Sequence, residues 1–118
     1  MLIKDINNCK EIIANDGSFL KEILSPFREK VDIGYSIALA RVKTATRKHK
    51  LRSAEVYFIL RGKGIMYIDD EKAIVREGQI IYIPPNSIQK IENIGDDDLV
   101  FLCIVEPAWK EEDEEILE

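Results

Sequence analysis

Glu55-Val56-Tyr57-Phe58-Ile59-Leu60-Arg61-Gly62-Lys63-Gly64-Ile65-Met66-Tyr67-Ile68-Asp69-Asp70-Glu71 is the stretch that decides the fold. After its opening carboxylate the run to Leu60 is rich in β-branched and aromatic residues and reads as a strand buried on both sides. Arg61-Gly62-Lys63-Gly64 is a turn signal, Ile65 to Ile68 is a second short apolar run, and Asp69-Asp70-Glu71 turns the chain into Lys72 to Arg76. The stretch is therefore a meander of short strands.

Outward in both directions the pattern continues. Upstream, Val31 to Thr46 alternates Ile33, Tyr35, Ile37 and Leu39 with Gly34, Ser36, Ala38 and Ala40, a strand with one bulky face and one small face. Downstream, Glu77-Gly78 leads into Gln79 to Ile83, which Pro84-Pro85-Asn86 ends because proline has no N–H for the sheet ladder. A strand from Ser87 to Asn93, a turn at Gly95-Asp96-Asp97-Asp98 and an apolar strand from Leu99 to Val105, ended by Pro107, complete the series. Short strands at regular spacing with no helix between them predict an all-β fold, a sandwich or a jelly-roll barrel.

The ends are less regular. Within about residues 1–30, the segment Asp16 to Leu24 reads as an edge strand, with a short helix capped near Ser18 as the alternative. The acidic tail, about residues 108–118, reads as a solvated extension that Trp109, Ile116 and Leu117 anchor as one helical turn, on its own barrel or on a second subunit.

At 118 residues and 46% hydrophobic content the chain fills one core, so a single domain over 1–118 is expected. A formal charge of −5 with one histidine disfavours attraction to phosphate backbones, and nucleic acid is set aside as a partner. No segment approaches the roughly 20 apolar residues of a membrane span, and a cytoplasmic protein is expected. Cys9 and Cys103 are too few for a disulfide framework, and Cys103 reads as a small buried hydrophobe. The basic run Arg47, Lys48, Lys50 and Arg52 either steers an anionic substrate or is a solvated loop. Phe19, Leu20, Ile23, Leu24 and Trp109 offer more apolar surface than one small barrel covers, which predicts a homodimer.

Strand periodicity also points to a site. In Ser87 to Asn93 one face carries Gln89, Ile91 and Asn93 while Lys90 and Glu92 mark the other as the wet side, so Gln89 points inward. Glu55 begins an apolar strand and is either at its mouth or buried with a partner, because an ionised carboxylate out of water is costly alone. His49 lies on the approach to that strand. His49, Glu55 and Gln89 either supply one nitrogen and two oxygens to a divalent Zn, Fe, Mn or Ni ion, or satisfy one another in a structural hydrogen-bond network.

The stretch His49-Lys50-Leu51-Arg52-Ser53-Ala54-Glu55, continued through Gly62, resembles the first motif of the cupins: His, any residue, His, three or four residues, Glu, six residues, Gly. Gly78 through Pro84 and Gln89 to Asn93 resembles the second: Gly, five residues, Pro, any residue, Gly, two residues, His, three residues, Asn. The resemblance implies a cupin-like double-stranded β-helix, with His49 and Glu55 in the positions of metal ligands and Gly62, Pro84 and Asn93 in those of structural residues. Leu51 and Gln89 stand where two metal histidines are expected, and Asn86 stands where glycine normally turns the chain.

Three functions follow. In a metal-dependent enzyme, such as a sugar or sugar-phosphate isomerase or a dioxygenase, an ion on His49, Glu55 and Gln89 polarises the substrate, and Tyr57 or Tyr35 donates a proton. In a metal-free binding module, Glu55, Gln89 and Asn93 hydrogen-bond a small polar ligand against a wall of Tyr35, Tyr57 and Met66. In a structural protein the polar trio satisfies only itself.

Overall fold

The computed structural model describes all 118 residues. Its strands are β1 (Glu11–Ile13), β2 (Phe19–Leu24), β3 (Ser36–Val42), β4 (His49–Leu51), β5 (Ala54–Arg61), β6 (Lys63–Ile68), β7 (Glu71–Arg76), β8 (Ile80–Ile83), β9 (Ile88–Asn93), β10 (Leu99–Glu106) and β11 (Glu114–Ile116). Two single 3₁₀ turns, Ile6–Asn8 and Glu111–Asp113, accompany them, and there is no α-helix. No helix is long and apolar enough to cross a membrane.

The strands form two antiparallel sheets, ordered β1-β2-β3-β10-β5-β8 and β11-β4-β9-β6-β7. They face each other as the two halves of a jelly-roll barrel. Between them lies a core that includes Val42, Ile59, Met66, Ile83, Ile91 and Phe101. Cys103 is buried in the same cluster as a free thiol.

Parity decides what the barrel encloses. On β5 the inward residues are Glu55, Tyr57 and Ile59, while Phe58 and Leu60 are exposed, so the strand is not buried on both sides. The outer face of the first sheet has no covering layer within this chain. On β3 it is the small residues Ser36, Ala38 and Ala40 that turn inward, and their size leaves room inside the barrel. Tyr35 belongs to the bulky series and stands just outside β3, 36% exposed.

Two turns depend on special backbone. Gly62 has φ of 98°, and a Cβ there would lie 3.1 Å from Leu99 Cα, so both conformation and space require glycine. Asn86 has φ of 63°, the left-handed conformation that asparagine tolerates better than other side chains.

The termini are ordered against the barrel. The Asp16 to Leu24 segment is a strand from Phe19, and what precedes it is an Asx turn in which the backbone N–H and hydroxyl of Ser18 both donate to Asp16 Oδ1 at 3.0 and 2.7 Å. Leu20 packs inward against the core rather than on the surface. The acidic tail, largely exposed, contains the single 3₁₀ turn Glu111–Asp113 and then a strand that was not expected: β11 adds to the edge of β4, with Glu114, Glu115 and Ile116 opposite Leu51, Lys50 and His49. Lys90 Nζ donates to Glu118 at 2.9 Å, and the Lys48 backbone N–H donates to it at 2.8 Å. Lys50 faces Glu115 at 3.7 Å and Arg52 faces Asp113 at 3.9 Å. The basic run thus meets the acidic tail, and none of its lysines or arginines reaches the barrel interior.

Candidate functional site

His49 and Gln89 lie opposite each other on β4 and β9, and Glu55 and Tyr57 lie two apart on β5 in the other sheet. All four side chains point into the barrel. Tyr57 Oη donates to Gln89 Oε1 at 2.9 Å, and Gln89 Nε2 donates to Glu55 Oε1 at 3.2 Å. These two bonds tie one sheet to the other across the interior.

The bonding runs in one direction. Burial pushes the Tyr57 phenol well above its ordinary range, with the nearby Glu55 charge adding to the effect, so the phenol keeps its proton and donates it. Gln89 passes the polarity on. Burial pushes Glu55 up to about 8, against the opposing hydrogen bond from Gln89 and with the nearby charges of Asp16 and Glu114 in the same direction. At neutral pH Glu55 is therefore a carboxylic acid that accepts from Gln89 on Oε1 and holds a proton on Oε2. Oε2 has no protein partner. Since no fully buried side-chain nitrogen or oxygen lacks a hydrogen bond, Oε2 must retain open surface, and Glu55 lines the cavity.

His49 is oriented by its backbone neighbour. Its Nδ1 lies 2.6 Å from the carbonyl oxygen of Arg47. A carbonyl can only accept, so Nδ1 carries a proton and, in the neutral ring, Nε2 carries the lone pair. Asp16 Oδ2 stands 3.7 Å from Nε2, too far for a hydrogen bond.

These groups surround a cavity of about 210 Å³. Its lining combines apolar side chains, among them Leu20, Ala40, Leu51, Phe101 and Val105, with the polar His49, Glu55, Tyr57, Asp16 and Glu114. Ile12, Ile13, Trp109 and Glu111 line the cavity and are also exposed, which marks its mouth. The two terminal segments therefore form the rim. Burial, with Asp16 nearby, raises Glu114 above the usual carboxylate range while His49 opposes the shift. Burial likewise raises the Cys103 thiol, which stays protonated and is no nucleophile.

Of the candidate residues, the barrel brings together His49, Glu55, Tyr57 and Gln89. It does not bring the others. Tyr35 stands just before β3, 36% exposed, and does not line the cavity. Met66 is 3% exposed within the core and does not line the cavity. Asn93 clamps a loop: its Nδ2 donates to the carbonyls of Val42, Lys43 and Asp97, and its Oδ1 accepts from Gly95. Asp16 and Glu114 were invisible as site residues because one sits in a turn and the other in what reads as a solvated tail. The one signal for the tail is the opposite charge of residues 47–52 and 111–118.

The arrangement defines a small jelly-roll barrel with a polar site facing its interior, and the comparisons name that class. Residues 40–105 match the cupin domain family, and the chain belongs to it. An uncharacterized protein of Methanocaldococcus jannaschii is 43% identical over 97% of this chain and 93% of its own length. Glucose-6-phosphate isomerase of Pyrococcus furiosus is 43% identical over 60 residues, a match that spans 47% of this chain and 32% of the enzyme. Among solved structures, the nucleoside dehydratase Pac13 superposes with a TM-score of 0.79, covering 100% of this chain and 92% of its own at 19% identity, a likeness of fold alone.

The family resemblance implies a divalent metal on His49, Glu55 and Gln89, and the side chains do not fit one. The amide oxygen of Gln89 is taken by Tyr57, and Leu51 fills the place of an imidazole. No three His, Cys, Asp or Glu side chains converge as a metal-binding group.

Proposed function

We propose that the protein binds a small polar molecule in the barrel cavity and acts on it by general acid–base chemistry, with Glu55 as acid and His49 as base and no resident metal. The observation that carries this reading is that Glu55 Oε2 and His49 Nε2 both belong to cavity-lining side chains less than a tenth exposed, and neither has a hydrogen-bond partner in the protein. A donor and an acceptor are thus held on one cavity, each oriented by a bond on its far side.

In such a site His49 Nε2 takes a proton from a substrate carbon while Glu55 gives one to an oxygen on the adjacent carbon. If that oxygen is a hydroxyl, water leaves and a double bond forms between the two carbons; if it is a carbonyl, an enediol forms, and return of the proton from His49 to the former carbonyl carbon, with loss of the other hydroxyl's proton to Glu55, completes an isomerisation. Dehydration and isomerisation are the activities that Pac13 and the Pyrococcus furiosus enzyme carry in their names, and both need one acid and one base. Tyr57 and Gln89 are positioning residues that fix the polarity of Glu55. The same reading takes the chain as one domain, a cytoplasmic protein, and a homodimer joined through the uncovered face of the first sheet.

The test is proton exchange. A ligand found by ligand-observed NMR is incubated with protein in D₂O, and deuterium incorporation at carbon is followed. Chelator-treated wild type should catalyse the exchange, and His49→Gln should lose it by about a hundredfold or more. Exchange that vanishes with chelation and returns with added Mn²⁺ or Zn²⁺ would instead support the metal-dependent enzyme. Binding without any exchange would leave a binding module.

A further inference from the structure

We propose that the cavity selects a small organic amine, held as its ammonium between Asp16 and Glu114 beside His49. This rests on the barrel interior being the ligand site, and names the charge of what it takes. The cavity is lined by five carboxyl groups, those of Asp16, Glu22, Glu55, Glu111 and Glu114, and by no lysine or arginine. Recognition of a phosphate or carboxylate relies on guanidinium, ammonium or clustered backbone N–H donors. His49 is the sole basic side chain lining the cavity, and it is already faced by Asp16.

Partners within the protein take up only part of this carboxyl surface: Asn15 hydrogen-bonds Glu114 and Gln89 hydrogen-bonds Oε1 of Glu55. Glu22 is paired with Arg28 at 3.4 Å, but Asp16 uses only Oδ1, on Ser18, and leaves Oδ2 beyond hydrogen-bond reach of His49. Independently of that cluster, Glu55 is 8% exposed, and its Oε2, which has no hydrogen-bond partner in the protein, opens on the same cavity. A compact metal ion needs donors converging at about 2.0–2.6 Å, and no such group exists. An ammonium accepts donors spread over a wider shell at about 2.7–3.2 Å, and its carbon skeleton has an apolar wall to meet in Leu20, Ala40, Phe101 and Val105.

Both selecting carboxyl groups lie outside residues 40–105, the segment that matches the family. The shared barrel supplies the cavity and the acid–base pair, while the turn before β2 and the strand β11 supply the charge preference. The terminal segments are then specificity elements, not only rim.

The experiment compares three probes on one skeleton, benzylamine, benzyl alcohol and benzyl phosphate, by ligand-observed NMR titration of the full chain at neutral pH. The amine should bind at least about tenfold tighter than the alcohol, equivalent to about 1.4 kcal/mol, and the phosphate should bind weakest. In Asp16→Asn with Glu114→Gln, the advantage of the amine should collapse to below about threefold. Alcohol bound as tightly as the amine, phosphate bound tighter than either, or an undiminished preference in the folded double variant would each overturn the charge selection and leave the ligand site standing. Binding of none of the three overturns both. The wild-type series decides alone if the double variant does not fold.

Discussion

At Glu55 the raised affinity for a proton is also a statement about stability. Its ordinary value is 4.5 and its folded value is about 8, so between those two pH values the folded chain binds more protons than the unfolded one. Stability from this residue is therefore lost as pH rises from about 4.5 to about 8, with an upper bound of about 5 kcal/mol. Glu55→Gln keeps the shape and the bond from Gln89 but carries no charge to bury. Denaturant unfolding should find the variant close to wild type at pH 5 and more stable at pH 8. A difference between the two proteins that does not change with pH would mean that Glu55 ionises freely in the fold.

Leu51 and Gln89 carry the second residue-scale prediction. Leu51 lines the cavity with His49 and Glu55, and Gln89 touches Glu55 directly. Leu51→His with Gln89→His should therefore assemble three imidazoles and a carboxylate, and bind Ni²⁺ or Zn²⁺ at least about tenfold tighter than wild type, or about 1.4 kcal/mol. Equal affinities in chelator competition, with both proteins folded, would mean that these positions do not converge.

Among the elements, β11 separates a surface ion pair from a cavity wall. The Lys90–Glu118 pair has side chains 29% and 42% exposed, and such pairs contribute about 0–1 kcal/mol. Lys90→Ala should lower stability by less than about 1 kcal/mol and leave the tail on β4. Removing residues 114–118 takes away the whole ladder with β4 and one carboxyl group of the cavity lining, that of Glu114. The shortened chain should keep its strand circular dichroism, since the core strands lie upstream, and should lose ligand affinity in NMR titration. Unchanged affinity would place the ligand away from this rim. Gly62→Ala tests the turn between β5 and β6: positive φ and the approach to Leu99 should together cost about 1–3 kcal/mol by thermal unfolding.

For the whole molecule, the outer face of the first sheet joins Leu39, Leu102, Phe58 and Ile80 in one cross-strand row, with Ile104, Val56 and Tyr82 beside it. Ile80 is 70% and Tyr82 59% exposed. A face of this kind accounts better for a homodimer than the residues singled out from sequence, since Leu20 is turned inward. Sedimentation should find a dimer at tens of micromolar, and Phe58→Lys with Ile80→Glu should yield a folded monomer. A wild-type monomer at that concentration would remove the homodimer.

Strands β2, β3 and β5 to β10, their turns, the glycine at Gly62, the left-handed Asn86 and the inward aim of Gln89 are legible in the chain, whereas the short edge strands β1, β4 and β11 are not. Each follows from rules that act over a few residues: alternation of side chains along a strand, the missing N–H of proline, the conformations glycine and asparagine tolerate. Alternation names two faces without saying which is inside. That is why Tyr35 looked like a site residue on β3, whose small face in fact lines the cavity. The bond from Tyr57 to Gln89 joins residues 32 apart in sequence on opposite sheets, and Asp16 and Glu114 reach one cavity from the two ends of the chain. Such meetings depend on which strands pair and how the two sheets close, which are long-range choices of the packed barrel. Local sequence therefore determined most of the elements and, through the two motifs, the type of barrel, and tertiary structure alone decided that one acid, one imidazole and two terminal carboxyl groups share a cavity.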